Sequence, residues 1–304
     1  MRIRLIAIAL ASLAASACHP ENNKAKALLA SCEKGEAKAC NDIAERLHKG
    51  RYVLRDDGRA AGLFQKSCIG GVGDACANLG LMKLAGGNIE NGAIKRDTAQ
   101  AVTLFRQGCS QGGMSGCAQL GTFYRKGIRM PRDDNRAAAL FKQACDGGNF
   151  DGCANLGTLY ATGEGVTQDF NSARDLLKRS CDQKISLGCV GLGQLYAAGT
   201  GITRNDSIAA DLYQKACDAF YMDGCLLLAK AAQLGIGVPQ DFTRAVELYR
   251  EACDQRNGEG CFRTAELYEK GAGRYRNPER AKEYMKQACD YGYLEACPKP
   301  KTSS

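Results

Sequence analysis

Sixteen of the seventeen cysteines stand in eight pairs, and within every pair the partners are eight positions apart. The pairs are Cys32/Cys40, Cys68/Cys76, Cys109/Cys117, Cys145/Cys153, Cys181/Cys189, Cys217/Cys225, Cys253/Cys261 and Cys289/Cys297. They recur every 36 residues, apart from one step of 41 between Cys68 and Cys109. A strict period of this length means that one supersecondary unit is repeated along the chain. Such a unit cannot bury its own apolar face and has to stack on copies of itself. Seventeen cysteines also point away from a reducing cytosol and toward an oxidising compartment.

Three further columns keep the register. Gly50, Gly86, Gly127, Gly163, Gly199, Gly235 and Gly271 form the first, suited to ending a helix where positive φ is wanted. Asp56, Asp97, Asp133, Asp169, Asn205, Asp241 and Asn277 form the second, offering a side-chain oxygen to the free N–H groups at the start of another helix. Ala60, Ala101, Ala137, Ala173, Ala209, Ala245 and Ala281 follow four residues later, small enough for two backbones to approach. Apolar residues three and four positions beyond, such as Leu140 and Phe141 or Leu248 and Tyr249, keep helical spacing toward a core. Each unit therefore reads as helix, glycine turn, helix. The fold class is all-α: an α/α solenoid, or superhelix, of seven helix-turn-helix repeats.

"LGTLYATGEGVTQDFNSARDLLKRSC" (156–181) resembles a Sel1-like repeat, a relative of the tetratricopeptide repeat. The paired cysteines are similar to its secreted, cysteine-rich bacterial branch. The resemblance covers residues 31–297. Repeats one to three carry Tyr52, Asn88 and Arg129 where the family has a second turn glycine, so their turns are expected to differ. Repeat two holds five extra residues in 86–97.

In an antiparallel stack, a cysteine such as Cys153 has two candidate partners: Cys145 across the loop, or Cys181 at the far end of its own hairpin. Pairing within hairpins would leave Cys32 and Cys297 alone, whereas pairing across loops uses all sixteen. The constant spacing agrees with the second scheme. Eight bridges of this loop length are each worth about 2–3 kcal/mol in the chain-entropy account. Zinc sites prefer cysteines two to four apart, so no metal is expected.

The chain begins with a targeting pattern: Arg2 and Arg4, an apolar run from Leu5 to Leu13, then Ala15-Ser16-Ala17 before Cys18. This reads as a signal peptide over residues 1–17. An ordinary signal-peptidase cut and a lipoprotein cut are both compatible with it, although Ala15 stands where a lipobox usually has leucine. Cys18 is the cysteine left over from the eight pairs, which favours a lipid cap on it. His19, in place of aspartate, favours the outer membrane. Residues 18–30 are then a lipid-anchored tether and the start of an N-terminal half-hairpin, 31–297 the solenoid, and 298–304 a tail. Net charge is +8, falling to +6 without Arg2 and Arg4, and the basic residues are scattered. No nucleic-acid partner is expected, and the chain is read as a monomer in the periplasm.

The cysteine-rich branch has been described as penicillin-binding and weakly β-lactamase-like, so an enzyme reading has to be weighed. The sequence has one Ser-x-x-Lys match, Ser31 and Lys34, and no Ser-Asp-Asn; Lys301-Thr302-Ser303 lies in the tail. There are two histidines, His19 and His48, and no catalytic residue or cofactor is assigned. The favoured reading is a non-catalytic scaffold that takes a protein or peptide partner, as an adaptor or in an immunity-type role. The alternative is a weak hydrolase of β-lactams.

By the resemblance, a partner would lie on a concave face lined by the first helix of each repeat. The position before the Leu-Gly pair reads Asp42, Asn78, Gln119, Asn155, Gly191, Leu227 and Arg263; Asn78 and Asn155 keep the family's asparagine, suited to holding peptide backbone, whereas Gly191, Leu227 and Arg263 depart from it. Two and five residues after the repeat leucine come Thr122 and Arg125, Thr158 and Ala161, Gln194 and Ala197, and Lys230 and Gln233. The expected ligand groove is Asn78, Gln119, Thr122, Arg125, Asn155, Thr158, Ala161, Gln194 and Lys230. A floor of small residues is expected at Ala154, Thr158, Ala161 and Ala197.

Overall fold

The computed structural model describes residues 20–86, 94–272 and 276–298. The leader, Cys18, His19, Asn88 and the 301–303 tripeptide lie outside them. The helices are α1 (Pro20–Glu33), α2 (Ala37–Lys49), α3 (Asp57–Ile69), α4 (Gly73–Ala85), α5 (Thr98–Ser110), α6 (Met114–Lys126), α7 (Asp134–Asp146) and α8 (Phe150–Thr162). They continue with α9 (Phe170–Asp182), α10 (Ser186–Ala198), α11 (Asp206–Asp218), α12 (Met222–Leu234), α13 (Phe242–Asp254), α14 (Gly258–Lys270) and α15 (Pro278–Asp290), before a 3-10 turn over Leu294–Ala296. The segment expected as tether and half-hairpin is thus helical from Pro20, and Ala25 is buried in the core of the first hairpins.

From α2 to α15 every helix has 13 residues, so the two helices of a repeat match in length. The chain divides into two compact units, Met1–Gly152 and Cys153–Ser304. In the first, Phe64, Phe105 and Phe141 are fully buried. Each of the last two rings sits on the glycine of a Leu-Gly pair: a Cβ on Gly80 would lie 2.7 Å from Phe105, and one on Gly121 2.8 Å from Phe141. In the second unit Gly193 seats Tyr213 in the same way: a Cβ there would lie 2.6 Å from the ring. The leucine of that pair points into the core while the glycine admits an aromatic ring, which explains why the two travel together.

The second-column residues do two jobs. Asp56, Asp97, Asp133, Asp169, Asn205, Asp241 and Asn277 all accept N–H groups from the first turn of the second helix. Their own backbone N–H groups all donate back to the end of the first helix, for example Asp241 to the Ala232 carbonyl at 2.8 Å and Asp169 to Tyr160 at 2.9 Å. One residue therefore satisfies free groups at both helix ends and sets the hairpin angle.

The expectation that repeats one and three turn differently is corrected. Tyr52 and Arg129 adopt φ of 60° and 63°, the same left-handed conformation as Gly165, Gly201 and Gly237. Glycine is needed at the later positions for space. A Cβ on Gly201 would come 2.2 Å from Phe170 Cβ, and one on Gly237 2.0 Å from the Asp206 carbonyl. Tyr52 and Arg129 are exposed, so their side chains fit and only the backbone cost of about 1–2 kcal/mol remains.

Seven of the expected bridges lie within the two units: Cys32–Cys40, Cys68–Cys76, Cys109–Cys117, Cys181–Cys189, Cys217–Cys225, Cys253–Cys261 and Cys289–Cys297. The remaining pair, Cys145/Cys153, falls on the division between the units. Cα separations of 4.5–4.8 Å hold the end of one hairpin against the start of the next. Small residues permit this approach: a Cβ on Gly224 would lie 2.6 Å from that of Ala216. Among the described residues no cluster of His, Cys, Asp or Glu could hold a metal ion, and no helix is long and apolar enough to cross a membrane.

Candidate functional site

The first helices of the second unit open a cavity of about 550 Å³. Its lining comes from three successive repeats: Val190 and Gln194 on α10, Asp223, Leu226, Leu227, Lys230, Gln233 and Leu234 on α12, and Glu259 and Arg263 on α14. Tyr249 of α13 reaches in from behind. Helical spacing alone accounts for the convergence, since Gln194 and Lys230 hold the same position in consecutive repeats, as do Leu227 and Arg263.

The polar groups of this groove differ in how firmly they are held. Arg263 lies between Glu266 at 2.9 Å and Glu259 at 3.5 Å, with its guanidinium over the Phe262 ring. Burial alone would lower the Arg263 pKa, but the two glutamates keep it above its ordinary value. Tyr249 donates its hydroxyl to Gln233 at 3.2 Å, and burial pushes its pKa up to about 12. Lys230 and Gln194 are exposed and have no side-chain partner among the described residues. The groove thus joins a fixed, charge-balanced wall to two free side chains over a leucine-lined base. That combination suits a polar chain with apolar side chains, and it lacks a nucleophile beside a base.

The other expected groove residues are distributed as follows. Asn78 is half-buried on α4, where its carboxamide donates to Glu45 and helps hold that carboxylate below its ordinary pKa against the opposing effect of burial. Gln119, Thr122 and Arg125 lie half-buried along α6. The Thr122 hydroxyl donates to the Ala118 carbonyl at 3.1 Å, and Thr158 on α8 donates to Ala154 at 3.0 Å. Both threonines therefore present chiefly a methyl group. Asn155 and Ala161 are half-buried on α8, and Ala161 packs against the core of the second unit. Ala154 is corrected: it is fully buried and forms no floor. Gly191 is small because a Cβ there would meet the Leu177 side chain at 2.7 Å.

A second cavity, of about 310 Å³, lies in the first unit, between Lys24 and Leu28 of α1 and Asp42, Glu45, Arg46 and Lys49 of α2, with Arg51 and Tyr52 at its end. Sequence reasoning missed it because α1 carries no repeat signature. Ser31 and Lys34 share no hydrogen bond. His48 meets Asp57 at 2.6 Å, and Arg55 also binds that carboxylate. Burial would raise the Asp57 pKa, but Arg55 and His48 together hold it low. The Arg-x-Asp ion pair recurs as Arg132–Asp134 and Arg204–Asp206, so it belongs to the hairpin turn.

A family model, Sel1 repeat, matches residues 37–72, 73–113, 115–149, 151–184, 186–219, 223–257 and 258–293. Among solved structures, a protective antigen of uropathogenic Escherichia coli strains displaying an SLR fold is 30% identical, with a TM-score of 0.59. That match covers 90% of this chain, which spans only 57% of the antigen's length. A Sel1 repeat protein from Oxalobacter formigenes is 21% identical over 90% of this chain and 77% of its own, with a TM-score of 0.60. The immunity protein PA5088 from Pseudomonas aeruginosa is 18% identical over 75% of this chain and 88% of its own, with a TM-score of 0.50. The comparison with curated proteins returned no match.

Proposed function

The chain belongs to the Sel1 repeat family, and we propose from that premise that it is a non-catalytic scaffold whose first-helix groove in the second unit captures a protein or peptide segment. Repeats of this family commonly mediate protein–protein contacts. The observation that carries the reading here is the meeting of side chains from α10, α12 and α14 in one cavity, with Lys230 and Gln194 unpartnered among the described residues beside a leucine base. Groups left free in a concave, partly apolar site are available to a ligand at little cost, whereas Arg263 would have to give up two carboxylates. The partner therefore offers apolar side chains to Leu226, Leu227 and Leu234 and an acceptor or carboxylate to Lys230. An adaptor role and an immunity-type role both fit such capture.

The leader also supports a location. The protein is a periplasmic lipoprotein anchored in the outer membrane through Cys18, a reading supported by the leader pattern, the leftover cysteine and the density of disulfides. Mass spectrometry of the mature N-terminus should find a lipid-modified Cys18, and an unmodified Cys18 with a free amine would overturn the anchor.

A photo-crosslinking amino acid placed at Gln194 or Lys230 in living cells tests the groove. One and the same protein should be captured from both positions and not from Glu279, which is exposed on α15. Equal capture from Glu279, or none from the groove, would refute the assignment. Lys230→Glu should weaken binding of the captured partner at least about tenfold, since a charge-assisted contact is worth about 1.5–3 kcal/mol.

A further inference from the structure

The opposite side of the same unit holds a larger cavity, of about 660 Å³, between the second helices α9 and α11. This volume is within the range of small-ligand sites, ~300–1,000 Å³. Its base is apolar, formed by Leu192 and Tyr196 of α10, Ile208 and Leu212 of α11, and the Cys181–Cys189 bridge. Its rim is cationic, with Arg174, Lys178, Lys184 and Lys215 against Asp182 and Asp218.

The gap is open for a reason visible one repeat later. Between α11 and α13, the Arg244 guanidinium reaches across and donates to the side-chain amide oxygen of Gln214. The positions 36 residues earlier are Ile208 and Lys178, which cannot make that bond. Lys178 turns along its own helix to Asp182 at 2.7 Å. With no crossing contact, Ile208 stays 38% exposed and the core leucines Leu192 and Leu212 line the gap.

The rim carries surplus positive charge. Asp182 is taken by Lys178, and Asp218 accepts from Gln214 at 2.6 Å. Arg174 is held by Asp175 and Asn171. Lys184 and Lys215 have no partner among the described residues, and they stand on two sides of the apolar base. Lys184 is also fixed at the backbone, in the left-handed conformation inside the bridged loop at φ 63°.

We propose that this cavity binds a single-chain amphiphile with an anionic head, a medium-chain fatty acid carboxylate. Its alkyl chain lies over Leu192, Leu212, Tyr196 and Ile208, and its carboxylate sits between Lys184 and Lys215. The two requirements, an apolar chain and one negative charge, match the base and the rim separately, and none of the residues that meet them lines the first-helix groove. The site is therefore independent of the protein-binding reading.

Titration calorimetry of the full oxidised chain with dodecanoate below its micellar concentration tests the proposal. One molecule should bind, and affinity should rise twofold to fourfold with each methylene from octanoate to dodecanoate, the upper figure corresponding to ~0.8 kcal/mol per buried methylene. Dodecyltrimethylammonium, of equal chain length and opposite charge, should bind at least tenfold more weakly. Lys184→Glu/Lys215→Glu should cost at least tenfold in dodecanoate affinity, and Ile208→Glu, at an exposed position, a similar factor, both with a wild-type circular dichroism spectrum. Absence of dodecanoate binding, equal binding of the cationic amphiphile, or unchanged affinity in both variants would each overturn the site. So would binding of an acidic amphipathic peptide in place of dodecanoate.

Discussion

Replacing Phe220 and Arg256 by glycine should stabilise the protein, against the usual cost of adding glycine. Both residues occupy the third position after a bridged cysteine, and their φ angles are 58° and 63°. Gly35, Gly71, Gly112, Gly148 and Gly292 hold the same place in other repeats, all at positive φ. A non-glycine residue in this conformation costs about 1–2 kcal/mol. Glycine removes that cost and adds about 0.5–1 kcal/mol of backbone entropy to the unfolded chain. Neither side chain contributes packing that would be lost, because Phe220 is 76% exposed and Arg256 is exposed without a partner among the described residues. The net gain is about 0.5–1 kcal/mol per site. The sites belong to different loops, so the double variant should gain about 1–2 kcal/mol. For a unit of this size that raises Tm by about 2–8 °C. Scanning calorimetry of the oxidised chain measures it. Gly71→Ala is the converse control: its Cβ would meet nothing, so it isolates the backbone cost and should lower Tm. A double variant that melts at or below the wild type refutes the reasoning.

Other expectations follow from the same geometry. Cys217→Ser/Cys225→Ser should lower stability by about 2.5 kcal/mol in the chain-entropy account, and urea unfolding of the second unit should register it as a lower midpoint. Non-reducing peptide mapping should recover Cys217 linked to Cys225 and no link from Cys225 to Cys253. Asp57 and Asp169 are both held below their ordinary value of 3.8, the first by Arg55 and His48 against the effect of burial and the second by Ser172. Their contribution is present above about pH 4 and is lost as pH falls through the lower folded-state values. Acid unfolding curves should therefore flatten in that window for Asp57→Asn, and an unchanged curve would contradict the ion pair. Burial raises Tyr213 and Tyr249 to about 12, so their stabilising neutral form persists past pH 10 and fails as pH approaches 12. Ultraviolet titration should show these two among the last tyrosines to ionise, and replacing Tyr249 by Phe should remove one late-titrating phenol.

The sequence by itself determined the elements, their order and the disulfide pairing. Each of these depends on local spacing: a capping residue four before an alanine, a glycine at a helix end, and two cysteines eight apart that only a tight loop can join. The column of Asp56 to Asn277 was legible as caps for the same reason. Its second duty, donating backbone N–H to the preceding helix, was not, because that bond depends on the angle at which the hairpin closes. Tertiary structure alone decided which faces stayed open. Ala154 and Ala161 look equally small in sequence, yet one is sealed in the core and the other half-buried, according to what lies beside α8. The gap between α9 and α11 exists because the contact that Arg244 makes with Gln214, 30 residues before it, has Ile208 and Lys178 in its place one repeat earlier. Tyr52, Arg129, Phe220 and Arg256 tell the same story for the backbone. Their neighbours and bridges impose positive φ that their own side chains disfavour, so no inspection of residue type would have found it.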